Sequence, residues 1–396
     1  MRVLLLNAGS SSLKCTLMES VGASVVARAT ADWAGAATRY ERVGPGSARR
    51  SEEVLLRGHG DAVRHMLDDL GGAVSLRPEG SDALAAVGHR IVHGGAFHSS
   101  VRITSSVRET IASLAALAPL HNPPGLETLA AAESALGEVP HVAVFDTAFH
   151  ATLPPSAYTY PLPIAWSEGW GIRRYGFHGL SHSYCARRAA EMLGRDVGEL
   201  RTIICHLGHG CSATAVLGGA SVDTTMGFTP LDGLMMGTRS GAVDPGILMH
   251  VQQHHALTAQ EVDAALNHRS GLLGVSGLSA DMREVLAARD DGDARAKLAV
   301  EVYSHRVRQA IGALAVTLGG VDALVFTAGV GEHAAVVRSE VCRGLECLGI
   351  VVDDGANHTC RPDADISRRG AAVRTLVIAT REDIAMLEDV VRVIAT

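Results

Sequence analysis

The chain is 396 residues long, which is enough for two or three domains and a large core. Apolar residues make up 47% of it and charged residues 19%, as in ordinary soluble globular proteins. The formal net charge of −7 argues against a general affinity for nucleic acid or for an anionic membrane surface. The apolar runs are too short to span a bilayer, and we expect no signal peptide.

The cysteine pattern indicates a reducing compartment. The 7 cysteines are scattered without CxxC pairs, as is typical of reduced thiols in cytosol. The 19 histidines show no clear metal-binding spacing, and we expect most of them to lie at the surface or to make hydrogen bonds. These features predict a cytoplasmic protein.

A strand, a turn of small residues and a second strand open the chain. The first strand is apolar up to Leu6, and Asn7 to Ser12 form a turn that offers hydroxyls, an amide and backbone N–H groups. Lys14 follows within an alternating strand that runs to Met18. This turn is not a Walker A loop, because GxxxxGK[ST] is absent and a strand follows instead of a helix.

A similar unit lies in the second half of the chain. A buried strand from Ile203 to Leu207 turns through Gly208, His209 and Gly210, and a second strand returns. Glycines at such a turn let backbone N–H groups approach a phosphate, although a plain tight hairpin is the alternative. The two similar units suggest an internal duplication. A loop rich in Gly, Thr and Met follows, with Arg239 as its cation.

Charged residues follow two predicted strands of the first half. Arg90 comes soon after the strand Ala83–Val87 and could contact an anion or form a surface salt bridge. Asp146 ends the strand that begins at His141. Because ligands of open α/β sheets bind outside the carboxyl ends of strands, Asp146 is a candidate metal ligand, and the alternative is a helix cap or a turn residue.

Helix signals lie between and after these strands. Ser106 and Glu109 form a predicted capping box for a helix that runs through Leu117. Pro119 would end that helix. In the second half, Ser181 is a predicted cap for a helix to Leu193.

Several loops of the second half could contact phosphate or nucleotide. His178 precedes the helix to Leu193 in a glycine-flanked loop, and it either donates to a phosphate or is structural. Gly271–Ser279 is predicted to be a glycine and serine loop. The strand Asp322–Thr327 leads into Gly329-Val330-Gly331, which resembles a nucleotide-binding turn without the full GxGxxG pattern. Glu382 begins the last helix and could reach a metal or support the helix N-terminus.

Long motifs in one order identify a family. The chain resembles the acetate kinases, of the short-chain acyl kinase family, along nearly its whole length. The matching motifs are NAGSSSLK from Asn7, GHRIVHGG from Gly88, PLHNPPGL from Pro119, VFDTAFH from Val144, YGFHGLSH from Tyr175, MGFTPLDGLMMGTRSG from Met226, SGLLGVSGLSADMR from Ser270 and FTAGVGE from Phe326.

The resemblance implies an architecture. The family has the actin, Hsp70 and sugar kinase fold, with two duplicated α/β lobes of ribonuclease H-like topology around a nucleotide cleft. We expect residues 1–150 to form the N-terminal lobe, with the C-terminal helix 381–396 packing on it. Residues 151–380 would form the second, nucleotide-binding lobe. A homodimer is expected, with neither nucleic acid nor membrane as a partner.

The resemblance also implies a reaction. Acetate, or another short-chain carboxylate, would take a phosphoryl group from ATP in a reversible, Mg²⁺-dependent, direct in-line transfer that gives acetyl phosphate and ADP. The enzyme rivals are a propionate or butyrate kinase and a pyrophosphate-dependent relative. The rival of another class is an inactive nucleotide-binding regulatory protein. Retention of the four charged residues Arg90, Asp146, Arg239 and Glu382 argues against that last reading.

Site roles carry over from the family onto matching positions. The catalytic residues would be Arg90, Asp146, His178 and Arg239. Asn7 and Glu382 would hold Mg²⁺, or Mn²⁺ in its place, together with Asp146. The acyl substrate would meet Arg90, Val92, Leu120, His121, Phe177 and Pro230. ATP or ADP would meet Lys14, His206, Gly208, His209, Gly210, Asp281, Arg283, Gly329, Val330 and Gly331.

Two positions depart from the family pattern. His209 stands where the family usually has asparagine in HLGNG, and His333 stands where it commonly has asparagine in GxGEN. Both departures bear on nucleotide affinity and on the choice of phosphoryl donor. Neither of them removes a charged catalytic residue.

Overall fold

The computed structural model describes residues 1–33, 37–44, 49–71, 83–118 and 121–396. Its chain forms two compact units, Met1–Ala151 with Arg381–Thr396, and Thr152–Thr380. The predicted substrate residue Leu120 and the helix-ending Pro119 lie outside the described residues. No described helix is long and apolar enough to cross a membrane.

The first unit is built on a mixed sheet. Its strands are β1 Arg2–Ala8, β2 Ser12–Glu19, β3 Ser24–Asp32, β4 Thr38–Val43, β5 Arg50–Val54, β6 Leu84–Ile91, β7 Val101–Arg102 and β8 His141–Phe145. Its helices are α1 His59–Gly71, α2 Ser105–Ser113 and α3 Asn122–Leu136, and the last helix of the chain, Glu382–Ala395, belongs to the same unit.

Within the described residues the sheet order is β5-β4-β3-β2-β1-β6-β8-β7. β1 lies at its centre, antiparallel to β2 and parallel to β6, and its residues Val3 to Leu6 are almost fully buried. A near-continuous apolar strand is expected where both faces of a sheet are covered. Helices α1 and α3 cover part of this core with residues such as Met66 and Leu129.

The second unit repeats this plan. Its strands are β9 Arg201–Leu207, β10 Cys211–Leu217, β11 Ala220–Thr224, β12 Ala323–Thr327, β13 Ala364–Asp365 and β14 Arg374–Val377. Its helices are α4 Pro155–Tyr158, α5 Ile164–Trp170, α6 Gly179–Leu193, α7 Pro245–His255, α8 Ala259–His268, α9 Gly271–Ser276, α10 Met282–Asp290, α11 Ala294–Thr317, α12 Ala328–His333, α13 Ala335–Cys342 and α14 Asp354–Thr359. The C-terminal helix is then α15 Glu382–Ala395.

The two sheets share one topology. The order β11-β10-β9-β12-β14-β13 matches β3-β2-β1-β6-β8-β7 strand for strand. In both sets the first two pairings are antiparallel, the next two are parallel and the last is antiparallel. The duplication predicted from the two hairpins is therefore confirmed, as is the α/β fold class.

Two predicted helix caps are wrong. Thr104, and not Ser106, caps α2, because its side chain accepts a hydrogen bond from the Val107 N–H. That helix ends at Ser113, and a 3₁₀ turn follows up to Leu117. Ser181 lies inside α6, while His178 occupies the N-cap position with a left-handed φ of 58°. Ser181 is therefore available for bonds to other side chains.

Two predicted loops are helical. Gly271–Ser276 forms α9 instead of an open loop. The nucleotide-type turn after β12 is also absent as a loop, since α12 begins directly at Ala328 and contains Gly329 to Gly331. The long helix predicted from Ala294 is confirmed as α11.

The C-terminal helix α15 packs on the sheet of the first unit. It lies against β1, β6, β7 and β8 through its buried face, which includes Met386 and Val390. Ser100 donates a hydrogen bond of 2.6 Å to Asp389, and Arg28 forms an ion pair with Asp383. The chain thus returns to its first unit after completing the second.

Candidate active site

Adjacent strands bring three predicted site residues of the first unit together. Asn7 lies on β1 opposite Arg90 of β6, and Asp146 follows directly after β8. These strands are neighbours in the sheet and run parallel, so their carboxyl ends meet at one edge. Sequence spacing could not reveal this proximity, because it depends on the sheet order.

Arg90 is the centre of this group. Its Nε donates to Asp146 Oδ1 at 3.1 Å, its Nη2 donates to Asp146 Oδ2, and its Nη1 donates to Asn7 Oδ1 at 3.0 Å. Burial acts to lower the pKa of Arg90, but the carboxylates of Asp146 and then Glu382 outweigh burial and raise it. A guanidinium carries five N–H donors, so Arg90 keeps donors for an anionic ligand after these contacts.

The donor set of the first unit suits a hard divalent cation. Asp146 and Glu382 offer carboxylate oxygens and Asn7 offers an amide oxygen, which are the ligand types that Mg²⁺ prefers. Among the described residues no group of three or more His, Cys, Asp and Glu side chains gathers into a metal centre. Mg²⁺ is commonly bound by one or two carboxylates and keeps several of its waters.

The predicted acyl-binding residues divide between the two units. Val92 comes two residues after Arg90 and is 5% exposed, and His121 precedes α3 in the first unit. Phe177 and Pro230 belong to the second unit, where Phe177 is buried and the Pro230 carbonyl accepts a hydrogen bond from Arg239.

In the second unit, the His178 imidazole and the Arg239 guanidinium both lie close to the glycine turn between β9 and β10. A Cβ placed on Gly210 would lie 3.4 Å from His178 Nε2 and 3.6 Å from Arg239 Nη2. The absence of a side chain at Gly210 therefore leaves open the space that both groups face. The turn closes through a 3.0 Å hydrogen bond from the Gly208 N–H to the Gly210 carbonyl.

Arg239 has few partners within the protein. Its Nη1 donates to the Pro230 carbonyl at 2.7 Å, and no carboxylate pairs with it in the described part of the chain. Burial lowers the pKa of Arg239, although a guanidinium stays charged at neutral pH. A half-buried cation without a counter-ion is costly unless a ligand supplies the negative charge, so this position favours binding of an anion.

Two histidines face the same turn side by side. The rings of His178 and His206 stack with centroids 4.1 Å apart and planes 19° apart. His206 Nε2 would lie 3.5 Å from a Cβ on Gly208, just as His178 Nε2 faces Gly210. Behind them, His178 Nδ1 bonds Ser212 Oγ at 2.9 Å and His206 Nδ1 bonds Ser181 Oγ at 2.8 Å.

A pocket of about 620 Å³ opens beside the glycine turn, which is a size suited to a nucleotide. It is lined by Gly208, His209, Ser279, Ala280, Asp281, Met282, Arg283, Leu286, Gly329, Val330, His333 and Ala334. Most of the predicted nucleotide-binding residues thus share one pocket. Sequence reasoning missed its apolar wall, Met282 and Leu286, because apolar residues of an amphipathic helix are normally interpreted as core.

The polar groups of this pocket pair with each other. Asp281 caps α10 by accepting from the Arg283 N–H at 2.8 Å, and the Arg283 guanidinium also donates to its carboxylate. These contacts hold the pKa of Asp281 below its usual value. Gly331 does not line the pocket; it is buried, and its carbonyl accepts from Arg338. Lys14 is exposed on β2 in the first unit.

His209 reaches the pocket from the tip of the turn. Its ring lies over Gly237, where a Cβ would come within 2.8 Å of two ring atoms, and the Gly237 N–H donates to the His209 carbonyl. Burial and then the charge of Arg239 lower the pKa of His209, while Asp281 acts to raise it. The ligand-free imidazole is therefore mainly neutral at pH 7.

The duplicated sheets are typical of the actin-like fold, and the His178 and Arg239 side chains at the glycine turn suit an anionic ligand. The model of the acetokinase family matches residues 2–388, and the chain belongs to that family. Its members are phosphotransferases that use a carboxyl group as acceptor, so the resemblance found in the motifs is confirmed.

Individual relatives are similar to this chain over nearly its full length. An acetate kinase from Cyanothece is 48% identical over 100% of this chain and 99% of its own. The crystal structure of Porphyromonas gingivalis acetate kinase is 40% identical with a TM-score of 0.90, covering 99% of both chains. That of a propionate kinase from Francisella tularensis is 37% identical with a TM-score of 0.91, covering 98% of both chains.

Proposed function

We propose that this chain is an acetate kinase that transfers a phosphoryl group reversibly between ATP and acetate, giving acetyl phosphate and ADP by direct in-line transfer. The observation that carries the proposal is the convergence of His178 Nε2 and Arg239 Nη2 on Gly210, next to a pocket of nucleotide size. Phosphoryl transfer needs donors that are fixed in advance around the moving group, and this arrangement supplies them.

The acceptor itself simplifies the chemistry. An acetate carboxylate is already a nucleophile at neutral pH, so no general base has to remove a proton. Arg239 and His178 would hold the transferring phosphoryl group. The backbone N–H groups of His209 and Gly210 would hold the nucleotide phosphates, since the N–H of Gly208 closes the turn. Arg90 would orient the acceptor carboxylate with the N–H donors that Asp146 and Asn7 leave available.

Mg²⁺, or Mn²⁺ in its place, would be held by the oxygens of Asn7, Asp146 and Glu382, and it would neutralise charge on the nucleotide phosphates. Since Asp146 also forms an ion pair with Arg90, its carboxylate would both orient the acceptor-binding arginine and help to bind the cation. This shared role explains why an acidic residue is needed directly after β8.

Propionate is the second candidate acceptor. The likeness to the Francisella tularensis propionate kinase is as close in structure as the likeness to the Porphyromonas gingivalis acetate kinase. One methylene in an apolar pocket changes binding by about 1–3 kcal/mol, so the two acids should differ by a factor of about ten to two hundred. The ratio of the kcat/KM for acetate to the kcat/KM for propionate therefore shows which of the two acids is the preferred acceptor.

The direct test incubates the purified protein with MgATP and acetate, propionate or butyrate, and traps acyl phosphate with hydroxylamine. We expect acyl hydroxamate and ADP in equal amounts, with acetate giving the highest kcat/KM. Formation of ADP without hydroxamate would contradict the proposal, as would a clear preference for propionate. The same assay with pyrophosphate replacing ATP tests the other phosphoryl donor.

We also propose a cytoplasmic homodimer. The second unit exposes large apolar side chains on α5, including Ile164 at 67% and Trp170 at 66% exposure, and on α7, including Ile247 and Met249. Exposed apolar surface of this kind is typical of protein contacts, and a second copy of the chain is the natural occupant for this family. Light scattering of the parent and of Trp170→Glu should give a dimer and a monomer, respectively.

A further inference from the structure

A line of three side chains runs from the buried interior of the second unit to the glycine turn. His182 Nε2 lies 2.7 Å from Ser212 Oγ, and Ser212 Oγ lies 2.9 Å from His178 Nδ1. Ser212 and His182 are both fully buried, in β10 and α6. The opposite nitrogen of His178, Nε2, faces Gly210 beside Arg239.

The hydroxyl of Ser212 limits the proton positions of both rings. A hydroxyl has one hydrogen to donate and two lone pairs with which to accept. At most one of the two imidazole nitrogens can therefore accept from Ser212. If both nitrogens donated, the hydroxyl hydrogen would be left in a fully buried place without either imidazole as its acceptor, which is unfavourable.

For a neutral His178 ring, its role as a donor selects between the two remaining arrangements. A neutral His178 can donate to an anion from Nε2 only when its Nδ1 carries no hydrogen, so Nδ1 must accept from Ser212. Ser212 has then used its hydrogen and must accept from His182 Nε2–H. One direction of donation, from His182 through Ser212 to His178, thus matches a neutral donor at the glycine turn.

The neighbouring histidine repeats the same arrangement. His206 Nδ1 contacts Ser181 Oγ, and its Nε2 faces Gly208. Ser181 Oγ in turn lies 3.1 Å from Thr380 Oγ1. Two stacked rings, each held from behind by a serine and each with Nε2 towards the turn, indicate that orientation of the imidazoles is a built feature of this wall.

We propose that Ser212 and His182 are positioning residues that fix His178 as the Nε2–H tautomer and aim its proton at the transferring phosphoryl group. This inference rests on the proposed function for the role of the phosphoryl group, while the tautomer itself is independent of activity. Neither residue touches the substrate; both act through His178. His182 must supply an N–H at the Nε2 position and need not change its protonation during the reaction.

The kinetic test is a double-mutant cycle on the full chain with MgATP and acetate. We expect Ser212→Ala to lower kcat at least tenfold with less than a threefold change in the KM for MgATP. In a His178→Ala background the same substitution should change kcat less than twofold, because its effect passes through the missing imidazole. An equal loss in both backgrounds would show that Ser212 acts on structure in general and would overturn the proposal.

Two substitutions of similar size, His182→Gln and His182→Leu, test whether residue 182 must donate an N–H to Ser212. Glutamine can place an amide N–H near the position of His182 Nε2, whereas leucine has a similar size and no donor. We expect His182→Gln to keep kcat within about fivefold of the parent and His182→Leu to match the loss in Ser212→Ala. Equal kcat values in the two variants at position 182 would contradict the direction of donation that we propose.

The tautomer is read without any assay of activity. In the full-length protein labelled with ¹⁵N-histidine at pH 8, His178, assigned by comparison with His178→Ala, should show a protonated Nε2 and a bare Nδ1. Ser212→Ala should shift this pattern towards a tautomer mixture. A bare Nε2 in the parent would overturn the inference even if Ser212→Ala failed to fold. If the parent formed no acyl phosphate but showed the Nε2–H tautomer, the proposed function alone would fail.

Discussion

Arg90 and Arg239 carry the same charge in opposite surroundings. Arg90 is bound to Asp146 and Asn7, and the net effect of its neighbours is to raise its pKa. Arg239 has a carbonyl as its partner, and burial lowers its pKa. The side chain of Arg90 is oriented by an ion pair, whereas that of Arg239 has no carboxylate partner among the described residues. Their consequences on mutation should differ accordingly.

Arg239→Ala should lower kcat by about two decades or more, because it removes the charge that we propose stabilises the transferring phosphoryl group. The KM for acetate should change much less. The measurement is initial rates of hydroxamate formation at saturating MgATP. Arg306→Ala, at an exposed arginine of α11, serves as the control and should leave kcat within twofold. An Arg239→Ala enzyme within a few-fold of the parent would remove Arg239 from the mechanism.

His209 should make nucleotide binding depend on pH. Its pKa is lowered in the ligand-free protein by burial and by Arg239, and bound phosphates should raise it again. Binding then favours the protonated ring, so the KM for MgATP should fall as the pH drops through the bound-state pKa. The gain should stop at the ligand-free pKa, which lies below the usual value of about 6.5.

The measurement is the KM for MgATP from about pH 5.5 to 8 in the parent and in His209→Asn. Asparagine keeps a donor but does not titrate, and both proteins share any change in the charge of ATP itself. The parent profile should bend downward at acidic pH relative to that of the variant. Profiles of the same shape would show that the imidazole does not contact the phosphates.

Sequence motifs point to individual site residues but not to the partners of those residues. Arg90 and Asp146 of the first unit and His178 and Arg239 of the second each stand in a stretch that matches the family, and their roles stay predictions. Ser212 gave no such signal, because a serine within a predicted strand is usually interpreted as a solvent-facing residue. Its role depends on pairing of β10 with β9 and on the approach of α6, which are long-range contacts.

At the scale of elements, the short helices after β12 are held by one buried cation. Arg338 of α13 is 1% exposed, and its side chain donates to the carbonyls of Gly331, Glu332 and Asn357 and to Asn357 Oδ1. It thereby fixes α12, which supplies Gly329 and Val330 to the pocket wall. Glycine-rich composition suggested a loop here, but the hydrogen bonds from Arg338 to the carbonyls of Gly331 and Glu332 stabilise the end of a helix.

Arg338→Met should therefore destabilise the protein by about 3 kcal/mol or more, because it leaves several buried carbonyls without donors. The free energy of unfolding is measured by urea titration with circular dichroism. Arg343→Met, at an exposed arginine one residue beyond the same helix, should change it by less than about 0.5 kcal/mol. Similar small changes in both variants would show that Arg338 does not anchor α12.

At the scale of the whole chain, the duplication of the two units could be predicted from the sequence because each sheet contains a recognisable hairpin, β1–β2 in the first unit and β9–β10 in the second. The strand order of each sheet was not, since crossover connections place β6 beside β1 and β12 beside β9. The duplicated topology links the two predictions: a similar hairpin in each half predicted a similar sheet, and the sheets agree in order and direction. The two halves differ in the side chains that lie at the carboxyl ends of their strands.

The return of the C-terminal segment to the first unit leads to a prediction about stability. α15 buries Ala385, Met386, Leu387 and Val390 against the sheet of residues 1–151. A chain ending at Thr380 should expose that face and destabilise the first unit, while residues 152–380 keep their own core. Limited proteolysis with mass spectrometry should then show cleavage within residues 1–151 at least about tenfold faster than in the full chain.

A chain ending at Ala395, which lacks only the exposed Thr396, is the matched control and should be cleaved at the parental rate. Cleavage sites within 152–380 should keep their parental rates in both truncated chains, because α15 adds no residue to that unit. Equal acceleration in both units would mean that they unfold together as one cooperative structure. An unchanged rate in the first unit would mean that its sheet is stable without α15, and the packing of this helix would then contribute little to the fold.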